Sequence, residues 1–163
     1  MDLRKRLGVA GDAGRPRLQV IVLDANILLY AYDVASPRHA AASAYLERIL
    51  SAPEPVGLPL QSISAFLRIS TQKGALRAPY TMQEAVGFVE AWIALPQVRL
   101  LAGGDRHWRI LKRMLLEGHV SGRSVTDAEI AAVTIEYGGE LQTNDRDFAR
   151  YPGLRWKNPL AKA

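Results

Sequence analysis

Three aspartates stand where the hydrophobic pattern of this 163-residue chain breaks: Asp24, Asp127 and Asp145. The run Val20 to Leu23 is wholly apolar and ends abruptly on Asp24, as a strand buried on both faces does. In open parallel α/β sheets ligands bind beyond the carboxyl ends of the strands, so an acid there is held on rigid backbone beside a crevice. Asp127 falls in Thr126-Asp127-Ala128-Glu129 at the head of a helical pattern, and Asp145 follows the short run Leu141 to Thr143. Hard divalent cations take oxygen ligands and complete their shell with water and substrate phosphate, so such a trio suits metal-assisted phosphodiester chemistry. Each acid also has a purely structural role open to it. Asp24 can cap a helix, Asp127 can complement a helix dipole, and Asp145 and Asp147 can form turns. Glu129 reads as the partner in a capping box rather than as a ligand. Spacing alone leaves the two readings level.

The elements that must position these acids follow from periodicity. After the first strand, Ala25 to Tyr32 forms a helix with Ile27, Leu28 and Ala31 inward. Ser36-Pro37 predicts the start of a second helix, capped by Ser36 and carrying Ala41, Tyr45 and Ile49 to about Leu50. Val56 to Leu58 reads as a second strand, and Gln61 to Thr71 as a helix with Ile63, Phe66 and Leu67 inward. Thr81 with Glu84 is a capping box ahead of Ala85, Val89 and Trp92. Val98 to Ala102 is a third strand, and Asp105 is a cap for a helix through Trp108, Leu111 and Leu115. Thr126 and Glu129 make a second capping box, followed by Ile130, Val133 and Thr134; Leu141 to Thr143 and Leu154 to Trp156 are the last strands. Strands alternating with helices of this length predict a parallel sheet covered on both faces, an α/β/α sandwich.

Composition narrows the classes. One domain of this length buries a full core without help from disulfides or structural metal. No cysteine is present, which excludes disulfide frameworks, zinc-thiolate sites and thiol nucleophiles and fits a reducing cytoplasm. No apolar run reaches membrane-spanning length and the N-terminus lacks the apolar core of a signal peptide, so a soluble cytoplasmic protein is expected. Twenty-one Lys and Arg against sixteen Asp and Glu leave a formal charge of +5, which suits a polyanionic partner. Residues 1–19, basic and rich in glycine, read as a flexible N-terminal extension ahead of a domain spanning residues 20–160.

The stretches VLDANILLYAYD and VTDAEIAAVTIEYGGELQTNDRDFARYPGLRW resemble the opening and closing motifs of PIN-domain proteins, in particular the VapC-like ribonuclease toxins of toxin–antitoxin pairs. SPRHAAASAYL and SAFLRIST resemble the second helix and central segment of that family. The similarity covers about Val20 to Pro159. It implies a five-stranded parallel α/β/α sandwich and an endoribonuclease that cuts RNA with Mg²⁺ or Mn²⁺. Carried over residue by residue, it makes Asp24, Asp127 and Asp145 the catalytic acids and metal ligands, with Asp147 supporting them. It also implies a cognate antitoxin, a homodimer and a product bearing a 5′-phosphate.

One position departs from the family. Its usual second acid is a Glu in a segment like AEFLR, whereas Ser64-Ala65-Phe66-Leu67-Arg68 places Ala65 there, and no Asp or Glu occurs between Pro55 and Met82. Ser64, Gln61 or water can fill that gap. The departure motivates a rival reading, a degenerate PIN module that binds RNA or a partner protein without cutting. A phosphatase of the haloacid-dehalogenase type ranks lower, because it wants a second Asp at position 26, which is Asn.

Asn26 and Thr143 are candidates for holding the geometry of the site, and Arg68, Arg146 and Arg150 for touching phosphate. His39, His107 and His119 lack the spacing of shared ligands. Trp92, Trp108, Trp156 and Phe148 are expected to pack rather than to stack on bases. No P-loop, dinucleotide fingerprint or nucleophile elbow is present.

Overall fold

The computed structural model describes residues 19–161, so the expected extension at residues 1–19 lies almost wholly outside the described residues. Five strands form one parallel sheet: β1 (Ile21–Leu23), β2 (Val56–Pro59), β3 (Val98–Leu101), β4 (Glu140–Gln142) and β5 (Trp156–Lys157), in the order β3-β2-β1-β4-β5. The first strand is central, with Val22 opposite Gly57 on one side and Leu141 on the other. Successive side chains on a strand point to opposite faces, and the core divides accordingly. Leu23, Val56, Leu58 and Val98 pack into one apolar cluster, Val22, Leu101 and Leu141 into another.

The first cluster is closed by α1 (Ala25–Tyr32), α2 (His39–Leu50), α3 (Leu60–Thr71) and α4 (Met82–Ile93). The second is closed by α5 (His107–Glu117), α6 (Ser124–Glu136) and the 3₁₀ turn Arg146–Arg150. The result is the expected three-layer α/β/α sandwich. Helix α6 is apolar nearly all round, with Ala128 and the run Ile130 to Thr134 buried, because it lies between the sheet and α5. At its exit the chain passes close to β1: a Cβ on Gly139 would stand 2.6 Å from Val22 Cγ2 and 3.1 Å from the Val20 carbonyl oxygen. Only glycine fits that approach.

Several boundaries differ from expectation, each for a local reason. The capping box of Thr81 and Glu84 forms as expected, with Glu84 accepting from the Thr81 amide at 2.8 Å. Helix α2, by contrast, begins at His39 and not at Pro37; Ser36 Oγ accepts from the Arg38 amide at 3.2 Å and is spent on a turn before the helix. Helix α5 begins at His107 with Arg106 before it. The amides ahead of it are taken by a carboxylate remote in sequence, Glu136, which accepts from Gly104 N at 2.9 Å and Arg106 N at 3.1 Å.

The second expected capping box does not form. Gly122 sits at φ +56° and turns the chain into α6 at Ser124, so Thr126 and Glu129 lie within the helix and Arg123 precedes it without a side-chain cap. A turn at Gly153, φ +79°, delays β5 to Trp156. Trp108 is also not packed: it is 66% exposed, as is Leu116 two turns on at 67%. No helix among the described residues is long and apolar enough to cross a membrane.

Candidate active site

Asp24 caps α1, and its burial is unusual for a carboxylate: 7% exposed, at the tip of the central strand. Both of its oxygens accept hydrogen bonds. Oδ1 accepts from the Ala25 amide at 2.7 Å; Oδ2 accepts from Asn26 Nδ2 at 2.7 Å and from Thr143 Oγ1 at 2.6 Å. The Thr143 hydroxyl is the hub of the cluster. It donates to Asp24 and accepts from Asn26 Nδ2 and from the Asp145 amide, both at 3.0 Å. Asn26 Oδ1 accepts from the Asn144 amide at 3.2 Å, so its two amide atoms clamp the ends of β1 and β4 together. Asn158 Nδ2, donating to Asn144 Oδ1 at 3.0 Å, extends the clamp toward β5.

Asp145 caps the 3₁₀ turn, accepting from the Asp147 amide at 2.8 Å. Asp127 stands half-exposed in the first turn of α6. The acids feel one another. Burial pushes the Asp24 carboxyl up to about 6; the Thr143 and Ala25 hydrogen bonds oppose the rise, and the charges of Asp127 and Asp145 add to it. Burial also raises Asp127, with Asp145 and Asp147 adding repulsion and Arg150 partly offsetting it. A basic protein thus gathers negative charge at one edge of its sheet, where it weakens the ionised form of its own carboxylates. Concentrated, mutually repelling oxygens are a donor set that a hard dication suits.

Among the described residues, no three Asp, Glu, His or Cys side chains are grouped closely enough to cage a metal ion by themselves. Asp24, Asp127 and Asp145 therefore meet at electrostatic range without closing into a cage. Mg²⁺ and its analogues commonly use one or two carboxylates and keep several waters, so this open donor set fits that mode of binding.

A cleft of about 420 Å³ lies between α3 and α6, and its α3 wall is the helical face Gln61, Ser64, Ala65 and Arg68. Thr126 and Glu129, on either side of Asp127 in sequence, form its α6 wall. Ala65 therefore lines a cavity whose far wall carries Glu129. The other candidates sort cleanly. Arg150 is electrostatically close to Asp127, and Arg146 is exposed in the same 3₁₀ turn. His39 approaches the Tyr30 carbonyl oxygen at 3.3 Å, His107 lies 3.7 Å from Glu136, and His119 is exposed in a loop, so none joins the acids. The hub role of Thr143 and the link through Asn144 and Asn158 have no signature in sequence beyond polar residues at strand ends. Glu129 is placed by the early start of α6, which frees it from capping.

The profile of the PIN domain matches residues 21–154. Ribonuclease VapC33 of Mycobacterium tuberculosis is 36% identical over 141 residues, 86% of this chain and 99% of that protein. Ribonuclease VapC43 of the same organism is 33% identical over 86% of this chain and 96% of its own. Among solved structures, VapBC2 from Rickettsia felis bound to a promoter DNA fragment superposes with a TM-score of 0.64 at 16% identity, covering 86% of this chain and 98% of that one. The sarcin-ricin-loop-cleaving toxin VapC20 of M. tuberculosis superposes at 0.61 and 16% identity, over 79% and 92%. With the parallel sheet, the strand-tip acid and these likenesses in place, the chain belongs to the PIN-domain family, alongside the VapC ribonucleases.

Proposed function

We propose that this protein is a metal-dependent endoribonuclease, the toxin of a toxin–antitoxin pair. The observation that carries the reading is the buried Asp24, locked by Ala25, Asn26 and Thr143 and electrostatically joined to Asp127 and Asp145. A capping aspartate needs no such company; an acid that must meet a cation in a fixed orientation does.

In this reading Asp24, Asp127 and Asp145 would hold Mg²⁺ or Mn²⁺, in part through waters the ion retains, and the ion would polarise the phosphodiester and acidify a water. The chain supplies the rest. Thr143 and Asn26 fix the Asp24 carboxylate, so no reorganisation is needed when RNA arrives. Arg68 in the cleft and Arg150 beside Asp127 offer guanidinium groups to the RNA backbone. Attack by water in line with the leaving 3′-oxygen gives a 5′-phosphate on the downstream fragment.

Relatives of similar fold are solved as VapBC complexes, and a cognate antitoxin and a homodimer complete the proposal. The test is RNA cleavage by purified protein with Mg²⁺ or Mn²⁺, with EDTA, and with Asp127→Asn. Cleavage that needs the metal and the aspartate is expected; metal-independent cutting, or cutting by the variant at the wild-type rate, overturns the assignment. RNA binding without any cutting supports the second reading, a degenerate binding module, which the alanine at position 65 favours.

A further inference from the structure

Strand β5 is two residues long, and its pairing with β4 ends on the Thr143 amide, which donates to the Lys157 carbonyl oxygen at 3.0 Å. The next residues along the two chains are joined by side chains instead: Asn158 Nδ2 donates to Asn144 Oδ1 at 3.0 Å. Asn158 is half-buried, and its Oδ1 is used as well, accepting from the Leu160 amide at 3.0 Å. That second bond is the ordinary turn an asparagine makes with its own backbone two residues on. The donation to Asn144 is surplus to the turn. Leu160 packs against the first apolar cluster, so the turn and the side chain it orients are anchored on the core.

We propose that Asn158 is a positioning residue of the metal site: through Asn144 it fixes the backbone from which Asp145 meets the dication. The inference rests on the ribonuclease reading above. Asn144 stands in sequence between Thr143, the hub, and Asp145. Its amide is held from the β1 side by Asn26 Oδ1 at 3.2 Å, and its side chain from the β5 side by Asn158. The Asp145 amide in turn donates to the Thr143 hydroxyl at 3.0 Å, so the approach of that acid follows from where the two residues before it are pinned. Releasing the β5 side leaves Asn144 tethered from β1 alone. A donor set that does not close into a cage depends on such support, because a ligand free to swing must be ordered when the ion arrives. Asn158 lies beyond residue 154, where the match to the PIN profile ends, so this support comes from outside the matched segment.

The test uses the full chain, the variants Asn158→Ala and Asn144→Ala, the two combined, and Thr81→Ala as a variant destabilised away from the acids. Mn²⁺ binding is titrated without RNA through the paramagnetic signal of the free ion, and amide hydrogen exchange is followed in EDTA. In Asn158→Ala the Mn²⁺ dissociation constant is expected to rise about five- to tenfold, the worth of one neutral hydrogen bond, and exchange at the Asn144 and Asp145 amides to quicken by a similar factor. Cutting falls at limiting Mn²⁺ and recovers as the ion saturates. Thr81→Ala moves none of these. Asn144→Ala reproduces the effect, and the combined variant is no worse than either single one, because both remove the same bond. Unchanged Mn²⁺ affinity or unchanged exchange in Asn158→Ala overturns the inference, as do losses that multiply in the combined variant. Wild-type protein that neither binds Mn²⁺ nor cuts RNA refutes the ribonuclease reading, whereas exchange in EDTA judges the hold on Asn144 and Asp145 by itself, so the two failures are told apart.

Discussion

Asp24→Asn should change how stability depends on pH, by an amount set by the burial of the native carboxyl. In the unfolded chain Asp24 loses its proton near its ordinary value, 3.8; in the folded protein burial holds that proton to about 6. Below pH 3.8 the group is neutral in both states and favours neither. Between 3.8 and 6 the folded protein keeps a proton that the unfolded chain has released, so stability falls as pH rises. Above 6 both forms are ionised and the whole cost persists. A difference of about two pKa units at 1.36 kcal/mol each is about 3 kcal/mol, a large share of the 5–15 kcal/mol that typically holds a domain together.

The assay is urea unfolding in EDTA from pH 3.5 to 7.5, for wild type and variant. Carboxylates and histidines remote from Asp24 titrate alike in both proteins and cancel in the difference, and the charge coupling to Asp127 and Asp145 is part of the Asp24 shift itself. The variant has a fixed cost, because its amide nitrogen faces the Asn26 amide where an oxygen had accepted, but that cost does not depend on pH. The wild type should therefore lose about 2 kcal/mol relative to the variant between pH 4 and pH 6.5, with little further change above. Parallel curves across that window would refute the claim that Asp24 is buried at a charge cost.

Thr143→Val removes the donor to Asp24 and the acceptor of the Asn26 and Asp145 N–H groups; it should cost about 2 kcal/mol in urea unfolding and move the acid limb of the pH–rate profile upward, since the hydroxyl opposes the rise in the Asp24 value. Gly139→Ala forces a Cβ onto Val22 and the Val20 carbonyl and should lower stability by about 1–3 kcal/mol, read as a fall in denaturation midpoint. Thr81→Ala breaks the capping box of α4, away from the acids; about 1 kcal/mol of stability should go while cleavage per folded molecule stays at wild-type level. Trp108→Ser touches an exposed side chain, so its unfolding free energy should stay within about 0.5 kcal/mol of wild type, and a larger loss would mean that the indole packs after all.

How far the sequence reaches depends on whether the determining contact is local. The strand tip at Asp24, the helix behind it and the Thr81 box are set by residues within four positions of one another, and all are legible in the pattern of apolar runs and caps. So is the alternation that demands a parallel sheet between two helical layers. Starts governed by a glycine turn or a remote partner are not: α6 begins at Ser124 because Gly122 turns the chain, and the head of α5 is satisfied by Glu136, thirty positions away. For the same reason Glu129 reads in sequence as a cap and stands in space on the wall of a cleft.

Three separated aspartates and an alanine at position 65 are visible in the bare sequence, and the family resemblance joins them into one hypothesis. Folding decides what that hypothesis means physically. It buries Asp24, hands its oxygens to Asn26 and Thr143, and leaves Asp127 and Asp145 close enough to repel it without caging an ion. It also opens the cavity that Ala65 faces. Sequence carries the identity of each group, whereas desolvation and through-space charge depend on distances between residues more than a hundred positions apart, which exist only once the sheet has formed.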